Sequence, residues 1–367
     1  MPRLATVILK TFGWSLAVTV AALAGSLLLG GTAALTIVAI LIVLEVSLSF
    51  DNAVVNATIL RRMNEFWQRI FLTVGVLIAV FGMRLAFPLL LVGITASKNP
   101  VEVVRLALNG GAVETPGTYA NLLTEAHPAI AGFGGLFLGM LFLDWLFEER
   151  EVTWLSWLER PLQRIGSLDQ LSVVVAGIAL VIAALTLAPA GKQSTVMISG
   201  LLGIVTYLLV NGLGALFEQG SADDEEATGS GEIVKATGKA AFFLFLYLEV
   251  LDASFSFDGV VGAFAISQDI FVIAVGLGVG AFWIRSLTIY LVRQGTLDDY
   301  VYLEHGAHWA IGALSVLLLV TIEYQVPEVV TGLIGVGFIG AAFLNSIVRN
   351  RRVVSASDKI PHAPAEV

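Results

Sequence analysis

The sequence predicts an all-α, polytopic membrane protein of about ten transmembrane helices, built around an inverted repeat. Three observations predict it. Hydrophobic residues make up 57% of the 367 residues and charged residues 13%, with a mean hydropathy of +0.87, a balance far from that of a soluble domain. Ten apolar stretches approach the roughly 20 residues that a helix needs to cross the bilayer. One polar motif then occurs twice inside such stretches, as LEVSLSFDNAVV from Leu44 to Val55 and as LDASFSFDGVVG from Leu251 to Gly262.

The expected spans are 12–30, 33–60, 70–95, 128–147, 171–189, 196–216, 239–267, 270–292, 307–324 and 328–347. The first follows Arg3 and Lys10 in the manner of a signal peptide, but a second apolar segment begins directly after it, so it reads as a retained helix. Spans five and six, joined by 190–195, form a tight hairpin. The first membrane half is therefore 1–216, with an acidic, low-complexity cytoplasmic linker at 217–238 containing GSADDEEATGSG. The second half is 239–348, followed by a cytoplasmic tail at 349–367. GLGVG and GFGGLFLG lie inside apolar spans with no Lys-Ser/Thr after them, which makes them helix-packing surfaces and not phosphate loops.

Orientation follows from the lysines and arginines, which collect on the cytoplasmic side. With the N-terminus inside, fifteen of the twenty fall on cytoplasmic segments, three (Lys98, Arg105, Lys192) fall outside, and Arg84 and Arg285 lie within spans. The 97–127 loop is then external, and the linker and C-terminus cytoplasmic. His305 and His308 fall at the cytoplasmic edge of span nine, a place from which they could gate protons but where solvated histidines are commoner.

Matching Asp51 to Asp258 aligns Glu45 with Asp252, Ser47 with Ser254 and Ser49 with Ser256, and makes seven of sixteen positions identical from Leu44 to Ile59. After a shift of six residues, VGVLIAVFGMR (Val74 to Arg84) matches VGLGVGAFWIR (Val275 to Arg285) in its Val, Gly, Phe and Arg. The two copies cross the membrane in opposite directions in this topology, so spans two to four and seven to nine form an inverted repeat. That architecture is expected of alternating-access transporters. Asp144, near the end of span four, falls opposite Glu323 near the end of span nine.

Each motif sets two carboxylates and two serines within seven residues. On a helix Glu45, Ser49, Asn52 and Asn56 share a stripe, with Ser47 and Asp51 beside it, and Asp252, Ser256 and Gly259 repeat the pattern next to Ser254 and Asp258. The candidate ligands are Glu45, Ser49, Asp51, Asn52, Asp252, Ser256 and Asp258. Four converging carboxylates in a low dielectric require cations or shared protons. With no cysteine in the chain, disulfides, thiolate sites and cysteine nucleophiles are excluded, and oxygen ligands select Mg2+, Ca2+ or Mn2+. Gly259 in place of Asn52 allows close approach or local unwinding. The competing structural reading makes the acids partners of Arg84 and Arg285, with Asp144 and Glu249 as accessory groups. Glu249 has no acidic counterpart, since Ile42 holds its position in the first copy.

At these motifs, Glu45-Val-Ser-Leu-Ser-Phe-Asp51-Asn52 and Asp252-Ala-Ser-Phe-Ser-Phe-Asp258, the chain resembles the TerC-like integral membrane family of the LysE-type transporter superfamily, as a divergent branch. The resemblance covers mainly spans two to four and seven to nine. It implies a bacterial inner-membrane protein that exports manganese or belongs to a tellurite-resistance type of membrane complex, with Mn2+ as substrate and no fixed cofactor.

The leading expectation is a secondary transporter of a divalent cation, with proton exchange as its coupling, and not an enzyme. The partners are then lipid and the metal ion, with an oligomer compatible. A structural or assembly component of a metal-stress complex is the alternative, with the acidic linker as its docking segment. An intramembrane aspartyl protease is the remote one, because the Gly-x-Gly-Asp context is missing at both aspartates. The net charge of -9, with acids gathered in loops, gives no reason to expect nucleic acid, and no ATP-binding motif is present.

Overall fold

The computed structural model describes residues 2–166, 168, 170–222, 236–267, 269–294 and 299–357. It is 83% helix, with no strand among the described residues. The helices are α1 (Pro2–Leu48), α2 (Phe50–Leu60), α3 (Glu65–Ile70), α4 (Phe87–Thr95), α5 (Pro100–Asn109), α6 (Tyr119–Phe147), α7 (Ser156–Ile165), α8 (Leu171–Thr186) and α9 (Gln193–Ala222). They continue as α10 (Gly238–Ile266), α11 (Ile270–Arg293), α12 (Leu303–Val320) and α13 (Glu328–Ser357). Two π-helical segments, Phe71–Gly75 and Ile78–Ala86, link α3 to α4.

Among the described residues seven helical stretches are long and apolar enough to cross a membrane, and the chain is a multi-pass membrane protein. The first of these, Thr11–Ser47, contains the reversal expected between spans one and two. Gly31 leaves helical geometry at φ 69°, ψ -165°, a left-handed φ that glycine adopts without steric cost. Before it, Ser15 bonds Ser286 at 2.8 Å and Thr19 accepts from Trp283 Nε1 at 2.8 Å. After it, Leu41 lies against Gly276 and Glu45 against Gly280. Position rises as α11 falls in the first leg and as α11 rises in the second, so two antiparallel legs share one face of α11.

Several helix starts carry their own signals. Asn64 caps α3 through Trp67 N at 3.0 Å, and Asn99 caps α5 through Glu102 N at 2.9 Å with Pro100 behind it. Thr118 caps α6 through Asn121 N at 3.2 Å, and Asp269 caps α11 through Phe271 N at 2.8 Å. These side chains satisfy backbone N–H groups that the first helical turn leaves open. The Thr118 cap also corrects the expected start of span four at 128, because α6 begins at Tyr119 and Pro128 sits in its interior. Proline there removes one backbone bond, a loss that membrane helices tolerate. The expected 97–127 loop holds the amphipathic α5, and the interval 148–170 between spans four and five holds the amphipathic α7. α13 runs past the expected end of span ten at 347, to Ser357. Much of the linker, 223–235, lies outside the described residues, as do 358–367.

The packing is reciprocal. α2 packs on α11 and α12, while α10 packs on the second π-helical segment and α6. α6 and α12 also meet each other, as do α2 and α10. The main core joins Ala53, Val54 and Ala57 of α2 to Phe137 and Met140 of α6, Leu248 and Leu251 of α10, and Ala307 and Ile311 of α12. Around it Leu28, Leu29 and Leu185 are exposed, as lipid-facing positions require.

Candidate functional site

Both motifs lie where α2, α10 and α11 come together. In the first copy the helix is interrupted at Ser49, which leaves α1 ending at Leu48 and α2 starting at Phe50 with Ser49 at φ -98°, ψ 16°. The second copy runs through its motif without a break, inside α10. Of the two roles expected of Gly259, close approach and local unwinding, the structure shows the first, and the helix break falls at Ser49. Gly259 serves close approach: a Cβ there would stand 3.2 Å from Glu45 Oε2, so the two motif helices touch through it.

Glu45 is buried and ion-paired to Arg84 Nη2. Its Oε1 also accepts from Ser49 Oγ at 3.2 Å, while Arg84 Nη1 donates to the carbonyl of Ala79 at 2.8 Å. Ala79 itself lies in the π-helical segment Ile78–Ala86, and π-helical distortions are frequent at functional sites. In the second copy Arg285 grips Glu249 with both terminal nitrogens at 3.1 Å. Nη2 also reaches Asp252 Oδ2 at 3.3 Å. The same guanidinium donates to Phe71 O at 3.3 Å and lies 4.1 Å above the Phe71 ring. The pair Glu45–Arg84 thus has its aligned counterpart in Asp252–Arg285. All five side chains are buried, and Arg285 is only 1% exposed.

Glycines make these approaches feasible. A Cβ on Gly280 would collide with Glu45 Cβ and Cγ, and one on Gly75 would stand 2.8 Å from Glu249 Oε1 and strike Arg285 Nη1. The glycine-rich stretch of α11 is therefore a packing surface for the first motif, with Gly276 against Leu41 and Gly278 against Val80.

Of the expected ligands, Glu45, Ser49, Asn52 and Asp252 are buried around this junction. The side chains of Asp51, Ser256 and Asp258 lie outside the described residues. Among the described residues no group of three or more His, Asp or Glu side chains is arranged to hold a metal ion. Ser47 faces away, exposed in an apolar groove with Leu44 and Leu333. Asn56, on the Glu45 stripe, is fully buried, and neither polar atom of its amide has a partner among the described residues. Asp144 is far along α6 and accepts from Tyr207 Oη at 2.6 Å, while Glu323 is exposed in the turn after α12, so the two are not a matched buried pair. His305 is buried, not solvated, with Nε2 at 3.0 Å from Val152 O and 3.8 Å from Glu159 Oε2. His308 is half-buried, stacked on Trp145 at 4.6 Å.

Glu249 emerges as the firmest partner of Arg285, a role that sequence reasoning left at the margin. The available signal was its spacing: three residues before Asp252 on one helix places both acids on one face.

The family model described as "Protein of unknown function (DUF475)" matches residues 50–353. The chain belongs to that family. No curated protein and no solved structure matches it.

Proposed function

We propose that this DUF475 protein is a secondary transporter that exports a divalent cation, Mn2+ foremost, across a bacterial plasma membrane, with both termini cytoplasmic and its halves related as inverted repeats. The observation that carries this reading is the repeated acid–arginine pair, set in an excess of acid. Glu45, Asp51, Glu249, Asp252 and Asp258 number five against two guanidiniums, Arg84 and Arg285. Purely structural pairing calls for balance, because each unpaired buried charge costs several kcal/mol. The buried acids Glu45, Glu249 and Asp252 already outnumber the two buried guanidiniums, and an excess of carboxylate calls for a cation or protons.

The reciprocal packing supports the inverted arrangement. Each motif helix rests on the second and third elements of the other half, so rocking one half against the other moves both motifs together. In this scheme Arg84 and Arg285 act as tethered cations: they neutralise Glu45 and Asp252 while the substrate is absent and yield some of that contact when it binds. Ser49, at the helix break, and Asn52 add neutral oxygens, the donor type that Mn2+ and Mg2+ accept. The resemblance to TerC-like proteins selects Mn2+ among the hard cations.

The experiment is Mn2+ flux in proteoliposomes, with Asp51→Asn and Asp258→Asn as variants. Wild type moves Mn2+ and each variant, correctly inserted, does not. Mn2+ also raises the melting temperature of the purified protein by mass action, more under alkaline than mildly acidic conditions because protons compete for the carboxylates. Vesicles that move no Mn2+, Mg2+ or Ca2+, together with a melting temperature indifferent to all three, overturn the reading.

A further inference from the structure

A cavity of about 630 Å3 lies at the end of the bundle where α2 and α6 finish and α12 begins, away from the junction of the motif helices. Arg61, Arg62, Asp144, Glu148 and Glu304 line it, with Tyr207, Tyr247 and His308. Its charges are not equally free. Glu304 is committed to Arg61 at 2.7 Å across α2 and α12. Asp144 has a neutral partner, the Tyr207 hydroxyl at 2.6 Å, and no ion pair among the described residues. Tyr247 is 8% exposed, and its hydroxyl, with no hydrogen-bond partner among the described residues, lies in the same cavity, the two tyrosine rings 6.2 Å apart. Three carboxylates against two guanidiniums, beside a tyrosine hydroxyl that no described side chain engages, give the cavity wall an acid excess, the chemistry of a site that takes a cationic guest.

We infer that this cavity is a second ion site, one that holds a divalent cation with its water shell intact and is anchored on Asp144. Direct ligation needs several carboxylates or imidazoles converging, and no such group forms among the described residues. Small divalent cations dehydrate reluctantly and often keep several waters. An ion with six waters fills roughly 200 Å3 at about 30 Å3 per water, which the cavity accommodates with room for bridging solvent. Asp144 supplies the charge and the acceptor oxygens, Tyr207 fixes the orientation of that carboxylate, and Tyr247 and the His308 ring face the water shell. The inference rests on the transport reading only for the choice of divalent cation.

The test is Mn2+ binding to the purified full chain, read from the fall of the free-ion resonance signal, in wild type and in the Asp51→Asn/Asp258→Asn background. That background retains one class of bound Mn2+. Adding Asp144→Asn abolishes it, and adding Tyr207→Phe weakens it about tenfold, as removal of an orienting partner does. Hexaamminecobalt(III), which cannot shed its shell, displaces the bound Mn2+. The inference is overturned if the background binds no Mn2+, if hexaamminecobalt(III) fails to compete, or if inorganic phosphate binds there in place of the cation. Mn2+ binding that survives Asp144→Asn also overturns it. Should Asp144→Asn fail to fold, an unchanged affinity in Tyr207→Phe does so alone. Loss of flux with this class of binding intact counts against the transport reading and not against the cavity.

Discussion

In the first motif copy one guanidinium meets one carboxylate, whereas in the second a single guanidinium is divided between two. Arg84 pairs with Glu45 and spends its other terminal nitrogen on the Ala79 carbonyl. Arg285 holds Glu249 with two bonds, touches Asp252, and is braced by the Phe71 carbonyl and ring. The aligned acid of the first copy is thus the sole ionic partner of its arginine among the described residues, and that of the second is a junior partner. If cation and arginine compete for these acids, Asp252 is surrendered at less cost than Glu45, since Arg285 keeps its grip on Glu249. Two copies of one motif can therefore present unequal half-sites to the same ion.

The largest expected effect comes from removing an arginine. Arg285→Gln strands two buried carboxylates and Arg84→Gln strands one. Loss of one partner from a buried ion pair costs about 3–5 kcal/mol, so Arg84→Gln falls in that range and Arg285→Gln at or above its top. Thermal unfolding of the purified variants in detergent gives the ranking. A smaller drop for Arg285→Gln than for Arg84→Gln breaks the comparison.

How much of this asymmetry was legible in the sequence depends on the link concerned. Several helix starts followed from hydropathy, so α8, α10 and α11 begin within one residue of the expected 171, 239 and 270. The alignment of Arg84 with Arg285 and of Glu45 with Asp252 needed only spacing. The amphipathic α5 and α7 escaped because they lie in polar intervals, where helical periodicity is short and membrane length is no guide. The division of Arg285 between Glu249 and Asp252 escaped for a different reason. Spacing placed both acids on one face, but which of them receives two bonds depends on where Gly75 lets α10 and the π-helical span meet. The cavity around Asp144 draws on α2, α6, α8, α9, α10 and α12 together, and no local pattern announces a site assembled from six helices.

Neutralising the aligned acids tests the same asymmetry from the other side, with a smaller spread. Glu45→Gln leaves Arg84 buried with a backbone carbonyl as its described partner, and the cost again approaches about 3 kcal/mol. Asp252→Asn leaves Arg285 held by Glu249, so the loss is that of one hydrogen bond to a charged group, about 1.5–3 kcal/mol at most. The double variant Asp252→Asn/Glu249→Gln removes both acids and should be less stable than either single variant. Equal melting temperatures for Glu45→Gln and Asp252→Asn would remove the distinction between sole and junior partner.

The smallest effect belongs to Ser49, and it isolates what the helix break contributes. Its hydroxyl donates to Glu45 Oε1 at 3.2 Å, on the same oxygen that Arg84 engages. Ser49→Ala deletes that donor while Arg84 remains, so the carboxylate stays paired and the expected loss of stability is about 0.5–1.5 kcal/mol. If Ser49 serves only the structure, that loss is the whole effect, and Mn2+ protection against heat is unchanged. If its hydroxyl joins the ion when Glu45 turns from Arg84, Mn2+ protection falls in addition to that loss. Measuring both quantities on one variant separates the roles, because the mass-action term depends on affinity and not on the stability of the ion-free state. Ser49→Thr keeps a hydroxyl and should retain protection wherever Ser49→Ala loses it. A Thr variant that behaves as Ala does would place the effect in the backbone break and not in the hydroxyl.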